Sequence, residues 1–269
     1  MNASSRTWLK VFTPRRDISP APGLGAGSLV SSLILLFWCI ITYGHFVDIT
    51  FCPPPHQVLI ALWKVIADGS IFKHAWSSLV VINLGFLLSS VIAIPLGIMM
   101  GSFRIVQAAL EPAVNFTRYL PVTSMIPLLI LWIGIGLEEK VAVIFIGTFF
   151  QQIVMFADVS AQVPDELFNA GYTLGASRRQ VVAQVLLPAT LPGVMDVLRV
   201  TMGWAWTYLV VAELVASNSG LGYMSMQAMR GLHADLIFVA ILVIGFLGMV
   251  TDQIFKWIKA LWLPWAGQR

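Results

Sequence analysis

The sequence predicts an all-α protein, a polytopic membrane helix bundle of about six transmembrane helices. Three observations carry that prediction. Of 269 residues, 58% are hydrophobic and 11% charged, whereas an ordinary soluble domain has roughly 45–50% and about 25%. Six apolar stretches are each long enough for the ~20-residue helix that a bilayer core of about 30 Å requires. Lys and Arg gather at the ends of those stretches instead of on one soluble face, which excludes a nucleic-acid partner and points to membrane orientation.

Residues 1–27 are polar or mixed and carry Arg6, Lys10, Arg15 and Arg16. They read as a cytoplasmic N-terminal segment. A cleavable signal would place a short apolar region and a small-residue cleavage site there. The transmembrane domain then spans 28–256, with crossings expected near 28–47, 76–101, 106–134, 140–158, 187–212 and 235–256, and 257–269 is a cytoplasmic tail. Between the first two crossings, Val58, Leu59, Leu62, Trp63 and Ile66 recur at helical spacing in a run too short to span. That run is expected to be an interfacial helix anchored by Trp63. The third stretch contains Pro121 and Pro127, which predicts a kinked or split helix whose irregular backbone faces protein or water. Gly97 and Gly101 form a Gly-x3-Gly pair, a spacing that lets helix backbones approach closely. No internal repeat stands out, so inverted-repeat carrier architecture gains no support.

Orientation follows from the cations. With the N-terminus inside, Arg6, Lys10, Arg15, Arg16, Arg104, Arg178, Arg179, Lys256, Lys259 and Arg269 are cytoplasmic, while Lys64, Lys73, Lys140 and Arg230 are external. Both termini are therefore expected in the cytoplasm of a multi-pass plasma-membrane protein.

Several chemistries lack their sequence handles. There is no Gly-Lys dipeptide, hence no phosphate-binding loop of the Gly-x4-Gly-Lys-Ser/Thr kind. Gly-x-Ser-x-Gly, His-Glu-x2-His and Cys-x2-Cys are absent as well. Cys39, Cys52 and the four His residues have no metal-site spacing. The chain reads as a non-enzyme with no metal or cofactor of its own.

One segment, "NAGYTLGASRRQVVAQVLLPATLPG" at 169–193, is polar and turn-rich between apolar runs. Pro164, Asp165 and Glu166 are a helix start, because Pro suits the first turn and acids suit the positive end of the helix dipole. Gly175 breaks that helix. Ser177 with Gln180 is a capping-box pattern, so a second short helix begins there with Arg178 and Arg179 in its first turn. Pro188 marks the step into the next crossing. Adjacent Arg residues at a helix N-terminus oppose the dipole, and an exposed amphipathic helix pair is the form that docks into a partner's groove. A solvated re-entrant loop is the plainer alternative.

Gly175 followed after nine residues by Val185-x-Leu187-Pro188 resembles the EAA loop of binding-protein-dependent ABC transporter permeases. In register, Asn169, Ala170 and Gly171 occupy the acid-small-small positions; Asn169 stands where the family has Glu, and Glu166 lies one turn earlier. "RYLPVTSMIPLLILWIGIG" upstream and "LRVTMGWAWTYLVVAELVASNSGLGY" downstream are similar to the nitrate/sulfonate/taurine/bicarbonate branch, so the resemblance covers about residues 60–260. It implies a type I importer permease working as a homodimer, with ATP and Mg bound by partner ATPase subunits and substrate delivered by an extracytoplasmic solute-binding protein. It also implies that the loop at 159–187 couples to the ATPase, with Glu166, Asn169, Ala170, Gly171, Gly175, Arg178, Arg179, Leu187 and Pro188 as the coupling residues.

Polar residues within crossings are the other informative set, because a charge near the midplane costs about 2.5–3.5 kcal/mol on insertion scales. Asp196 and Arg199 are three apart and close enough to pair. Arg118, just before Pro121, either satisfies broken-helix carbonyls or faces the pathway, where a guanidinium attracts an anion. Arg118, Trp204 and Glu213 are the pathway candidates. Trp204 and Trp206 cannot both face one side of a helix. Two other classes remain open: a membrane scaffold that anchors a cytoplasmic partner, and a secondary carrier, which would need unpaired acids in mid-span.

Overall fold

The structure is a computed structural model that describes residues 20–215 and 217–267. The predicted cytoplasmic segment's Arg6, Lys10, Arg15 and Arg16, and Arg269 of the tail, lie outside the described residues. All regular structure among the described residues is helical.

Two compact units divide at Ile60 and Ala61. The first contains α1 (Pro20–Tyr43), whose Gly27–Tyr43 part is apolar on every side and exposes Leu33, Ile34, Leu36 and Phe37. A helix apolar all round is at home in lipid or in a large core. In the same unit Trp38 Nε1 donates to the Pro53 carbonyl at 3.1 Å, and Tyr43 stacks on His56 with its hydroxyl 2.7 Å from Nδ1. Helix α2 (Pro55–Ala67) runs through the division, and Trp63 on it is 71% exposed. The short helix predicted there forms.

The second unit is built on α3 (Ser70–Ser102) and α6 (Leu137–Ala161). Glycine brings these two helices together. A Cβ on Gly97 would lie 2.7 Å from the Ile153 carbonyl oxygen, and one on Gly101 would run into the Ala157 backbone. The Gly-x3-Gly pair is thus a helix-contact face, where close backbone approach supplies dispersion. Higher up, Gly85 meets Ile144 in the same way.

Helix α4 (Arg104–Arg118) and α5 (Val122–Ile133) are two halves of the predicted third crossing, bent by 93°. The bend falls at Pro121; Pro127, also expected to interrupt, lies inside α5. After α6 come α7 (Asp165–Thr173), α8 (Arg178–Val181), a π-helical turn Val182–Leu186 and α9 (Leu187–Val215), then α10 (Leu221–Arg230) and α11 (Ala234–Trp262). Among the described residues four helical runs are long and apolar enough to cross a membrane, or five when the bent pair is counted as one broken span. Pro188 stands in the first turn of α9, at the step into the next crossing, and the helical run Arg178–Val215 continues through it. Proline's ring crowds the carbonyl four residues back. The wider π turn immediately before it, in which the Leu187 N–H reaches Val182 O, gives that ring room without a break.

One expectation is corrected, the pairing of Asp196 with Arg199. They do not pair with each other. Asp196 takes the Lys259 ammonium at 2.6 Å, and Arg199 lies 3.7 Å from Asp252, which also holds Lys256. Both pairs tie α9 to α11. Deeper in the bundle, α3, α6 and α9 share a closed polar network. Gln152 accepts from Ser89 at 2.8 Å and donates to Ser90 and Thr201, each at 3.1 Å, and Thr148 donates to Ser89. All five side chains are buried, so each hydrogen bond replaces one that lipid could not offer.

Candidate functional sites: a helical turn and a broken-helix cavity

The segment at 164–188 is shaped by bonds between near neighbours. Pro164 caps α7, and Asp165 and Glu166 fill its first turn. At the other end the Gly175 N–H reaches Tyr172 O at 2.9 Å and the Ala176 N–H reaches Gly171 O at 3.1 Å. With Gly175 at φ +80° this is a Schellman ending, which needs a residue comfortable in the left-handed region. Two residues later the predicted capping box is present: the Gln180 N–H lies 3.5 Å from Ser177 Oγ, and the Ser177 N–H donates to Gln180 Oε1 at 2.8 Å.

The nine candidate residues of this segment separate into two sets. Gly175 makes the turn, and Gly171 is a packing position: a Cβ there would stand 3.3 Å from Val181 Cγ2 and 3.6 Å from Val185 Cγ2. The small residue and the later Val185 of the Val-x-Leu-Pro stretch therefore face each other across the turn. Pro188 is half-buried beside the π turn, and Leu187 is 42% exposed; the leucine in the core is its neighbour Leu186, at 2%. Glu166, Asn169, Ala170, Arg178 and Arg179 form the second set, all exposed. Neither Arg makes an ion pair among the described residues. Sequence reasoning missed Leu174, Tyr172 and Leu167, which are 88%, 50% and 45% exposed beside those polar groups. A leucine next to the breaking glycine of a polar segment was the available signal.

The second site is a cavity of about 520 Å³ at the α4–α5 bend. Thr117, Arg118 and Thr123 reach it from the bend, Gln151 from α6, and Trp204 and Tyr208 from α9. Arg118 Nη2 donates to the Tyr119 hydroxyl at 3.0 Å, and its guanidinium carbon lies 4.8 Å from that ring's centroid. Its Nε is buried with no partner among the described residues. Among the described residues no carboxylate lines the cavity and Arg118 is its one charged side chain, so an anion could take the unspent donor in a charge-assisted bond. Gly147 makes the room, since a Cβ there would fall 2.6 Å from Tyr208 Cδ2.

Of the three pathway candidates, Arg118 and Trp204 meet at this cavity and Glu213 does not. Glu213 is 1% exposed and accepts from Ser78 Oγ at 2.7 Å and from the Gly222 N–H at 2.8 Å, which pins the turn before α10. The two tryptophans separate as helix geometry demands: Trp204 is 38% exposed in the cavity, and Trp206 is 5% exposed and donates to Thr251 at 3.2 Å. Gln151, Tyr208, Thr117 and Thr123 were not singled out from sequence; only the fold collects them.

Comparison with known proteins places this geometry in context. The family described as "Binding-protein-dependent transport system inner membrane component" matches residues 93–262. The chain is 31% identical over 259 residues to the taurine transport system permease protein TauC of Escherichia coli (strain K12), covering 94% of each chain. It is 30% identical over 239 residues to a putative aliphatic sulfonates transport permease protein, SsuC, of Bacillus subtilis (strain 168), covering 89% of this chain and 87% of that one. Among solved structures, inward-facing forms of the MetNI methionine ABC transporter are similar with a TM-score of 0.58 and 22% identity, over 69% of this chain and 94% of that chain. A bacterial alginate ABC transporter in complex with a periplasmic protein gives a TM-score of 0.58 at 12% identity, over 88% and 93%. At those identities the two structures are similar in fold.

Proposed function

The chain belongs to the family of binding-protein-dependent transport system inner membrane components and is a permease of an ABC importer; we propose that it carries a small oxyanion of the nitrate, sulfonate/taurine or bicarbonate class inward, driven by a separate ATPase docked on residues 164–188. One observation carries the coupling role. The turn is rigidly built from within yet leaves its outer face bare, with Leu174, Asn169, Ala170, Arg178 and Arg179 all open. Exposed leucine among unpaired charges is a docking face. ATP and Mg belong to the partner, consistent with the missing phosphate loop. The anion class is supported by the unspent Arg118 Nε in a cavity without carboxylates, and by the taurine and aliphatic sulfonate names of two relatives.

The assembly is read as two copies of this chain, two ATPase subunits and an extracytoplasmic solute-binding protein, in the plasma membrane with both termini inside. Reconstitution with the ATPase and binding protein tests it. ATP-dependent uptake of radiolabelled taurine or nitrate into proteoliposomes is expected, and Ala170→Trp is expected to abolish uptake while leaving the permease inserted and monodisperse. Uptake that survives Ala170→Trp would remove the docking role. Failure to move any small oxyanion would favour a scaffold.

A further inference from the structure

Toward the N-terminal end of α6, away from the helical turn, a second cavity of about 470 Å³ opens among the first turns of α3, residues 135–137 and the turn at 217–219. Its charged groups have one sign. Lys73 and Lys140 line it together with Ser77, Ser217, Ser219 and Trp76, and among the described residues no carboxylate does. Lys140 is 6% exposed, and its hydrogen bond goes to Ser217 Oγ at 3.0 Å. It has no ion-pair partner among the described residues. An ammonium has three donors, so two are unspent. A buried charge in that condition is costly unless a counter-ion reaches it.

The neighbouring acids Glu139 and Glu213 attract the Lys140 ammonium through space, but neither makes a salt bridge or hydrogen bond to it among the described residues. Glu213 has both oxygens committed to Ser78 and Gly222. Glu139 is 0% exposed and bonds to nothing among the described residues. It projects about 100° around the helix from Lys140 and lines neither cavity. The hydroxyl rim is held in place in advance: Ser77 and Ser219 share a bond of 2.8 Å, Ser217 donates to the Ser219 carbonyl, and the Gly220 N–H reaches His74 Nδ1 at 3.2 Å.

The two cavities share one stripe of α6. Lys140, Gly147 and Gln151 follow at seven- and four-residue steps, and the last two line the Arg118 cavity. Lys140 stands about 16 Å along the helix from Gln151 at the usual rise. Between them Ile144, 0% exposed against Gly85, closes the stripe.

We propose that this outer cavity is a second anion site, which holds a sulfonate, sulfate or phosphate group between the Lys73 and Lys140 ammonium groups before the transported anion reaches Arg118. The order of the two sites rests on the import reading; binding at the outer one does not. The transported oxyanion and the headgroup of an anionic lipid present the same chemistry to it.

The test uses the full-length chain in phosphatidylcholine nanodiscs, with fluorine NMR of 2,2,2-trifluoroethanesulfonate as the probe. Two saturable components are expected. The double variant Lys73→Gln/Lys140→Gln weakens one of them about tenfold, Lys140→Arg preserves it, and Arg118→Gln removes the other alone. Wild-type binding in the double variant, or a single component lost only in Arg118→Gln, overturns the proposal. In the second case the permease reading stands, so the two failures are distinct. Should the double variant lose its monodisperse elution, Lys73→Gln at its exposed position carries the test with a loss of about threefold, and unchanged affinity there overturns it. Phosphatidylglycerol nanodiscs separate the two sources. Unchanged probe affinity assigns the site to the free oxyanion, and competition that Lys73→Gln relieves assigns it to the headgroup.

Discussion

The helical turn at 164–188 and the cavity at the α4–α5 bend are both polar places in an apolar chain, and they are built in opposite ways. Every bond that shapes the turn joins residues at most five apart: Gly175 to Tyr172, Ala176 to Gly171, Ser177 to Gln180. The cavity joins Arg118, Gln151 and Trp204, which are separated by 33 and then 53 positions by their numbers. Local bonding makes a shape that survives while its outer face stays empty for a partner. Long-range assembly makes an enclosure whose polar groups exist as a set only when the helices are packed. A coupling element has to keep its form while it is pushed, and a pathway has to change form; the difference in construction suits those two tasks.

The comparison is broken most severely at Gly175. Replacing it with Val puts a β-branched side chain at φ +80°, a conformation that costs L residues roughly 1–2 kcal/mol or more. Substrate-stimulated ATP hydrolysis by the reconstituted complex is expected to fall to its basal rate, with membrane insertion and elution unchanged. Gly175→Asn should restore most of it, because Asn tolerates the left-handed region. A Val variant that couples normally would show that the turn's form is not what transmits force.

Arg118→Gln comes next. It removes a charge from the cavity and no bond from the turn, so ATP-dependent oxyanion uptake is expected to fall about tenfold or more while basal ATP hydrolysis stays within assay error. Equal loss of both activities would mean that the two regions are not separable.

The smallest effect sharpens the local half. Ser177→Ala deletes the capping hydroxyl of α8, worth about 1 kcal/mol, at a site with several other short-range bonds. A small fall in melting temperature and less than a twofold change in coupling are expected from differential scanning fluorimetry and the same ATPase assay. A collapse of coupling would show that the capping box alone carries the turn.

The same division separates what could be read from the sequence. The membrane class, the α7–Gly175–α8 turn, the break at Pro121 and the capping box were all legible, because each follows from composition or from residues within one or two helical turns. The family resemblance was legible because each of the three segments that carry it is a short contiguous run whose order and spacing can be read directly. The partners of Asp196 and Arg199 were misread because the nearest opposite charge in sequence was assumed, and the ones used sit on α11. Glu213, by its place near a helix end, reads as an acid that either salt-bridges or gates, with the structural role favoured; only the neighbouring Ser78 and Gly222 show which bonds it makes, fastening the α10 turn.

By itself, then, the sequence determined which segments are helical and apolar, where they break and how the turn at 175 closes, since those depend on backbone preferences and short-range hydrogen bonds. Tertiary structure decided that Arg118 shares a cavity with Trp204, that Lys140 is buried with no salt bridge among the described residues and that Leu174 stands bare. The rotation of each helix about its axis and its height against its neighbours settle such matters. Here they are fixed by contacts such as those of Gly97 and Gly101 of α3 against α6, whose partners lie more than fifty residues away.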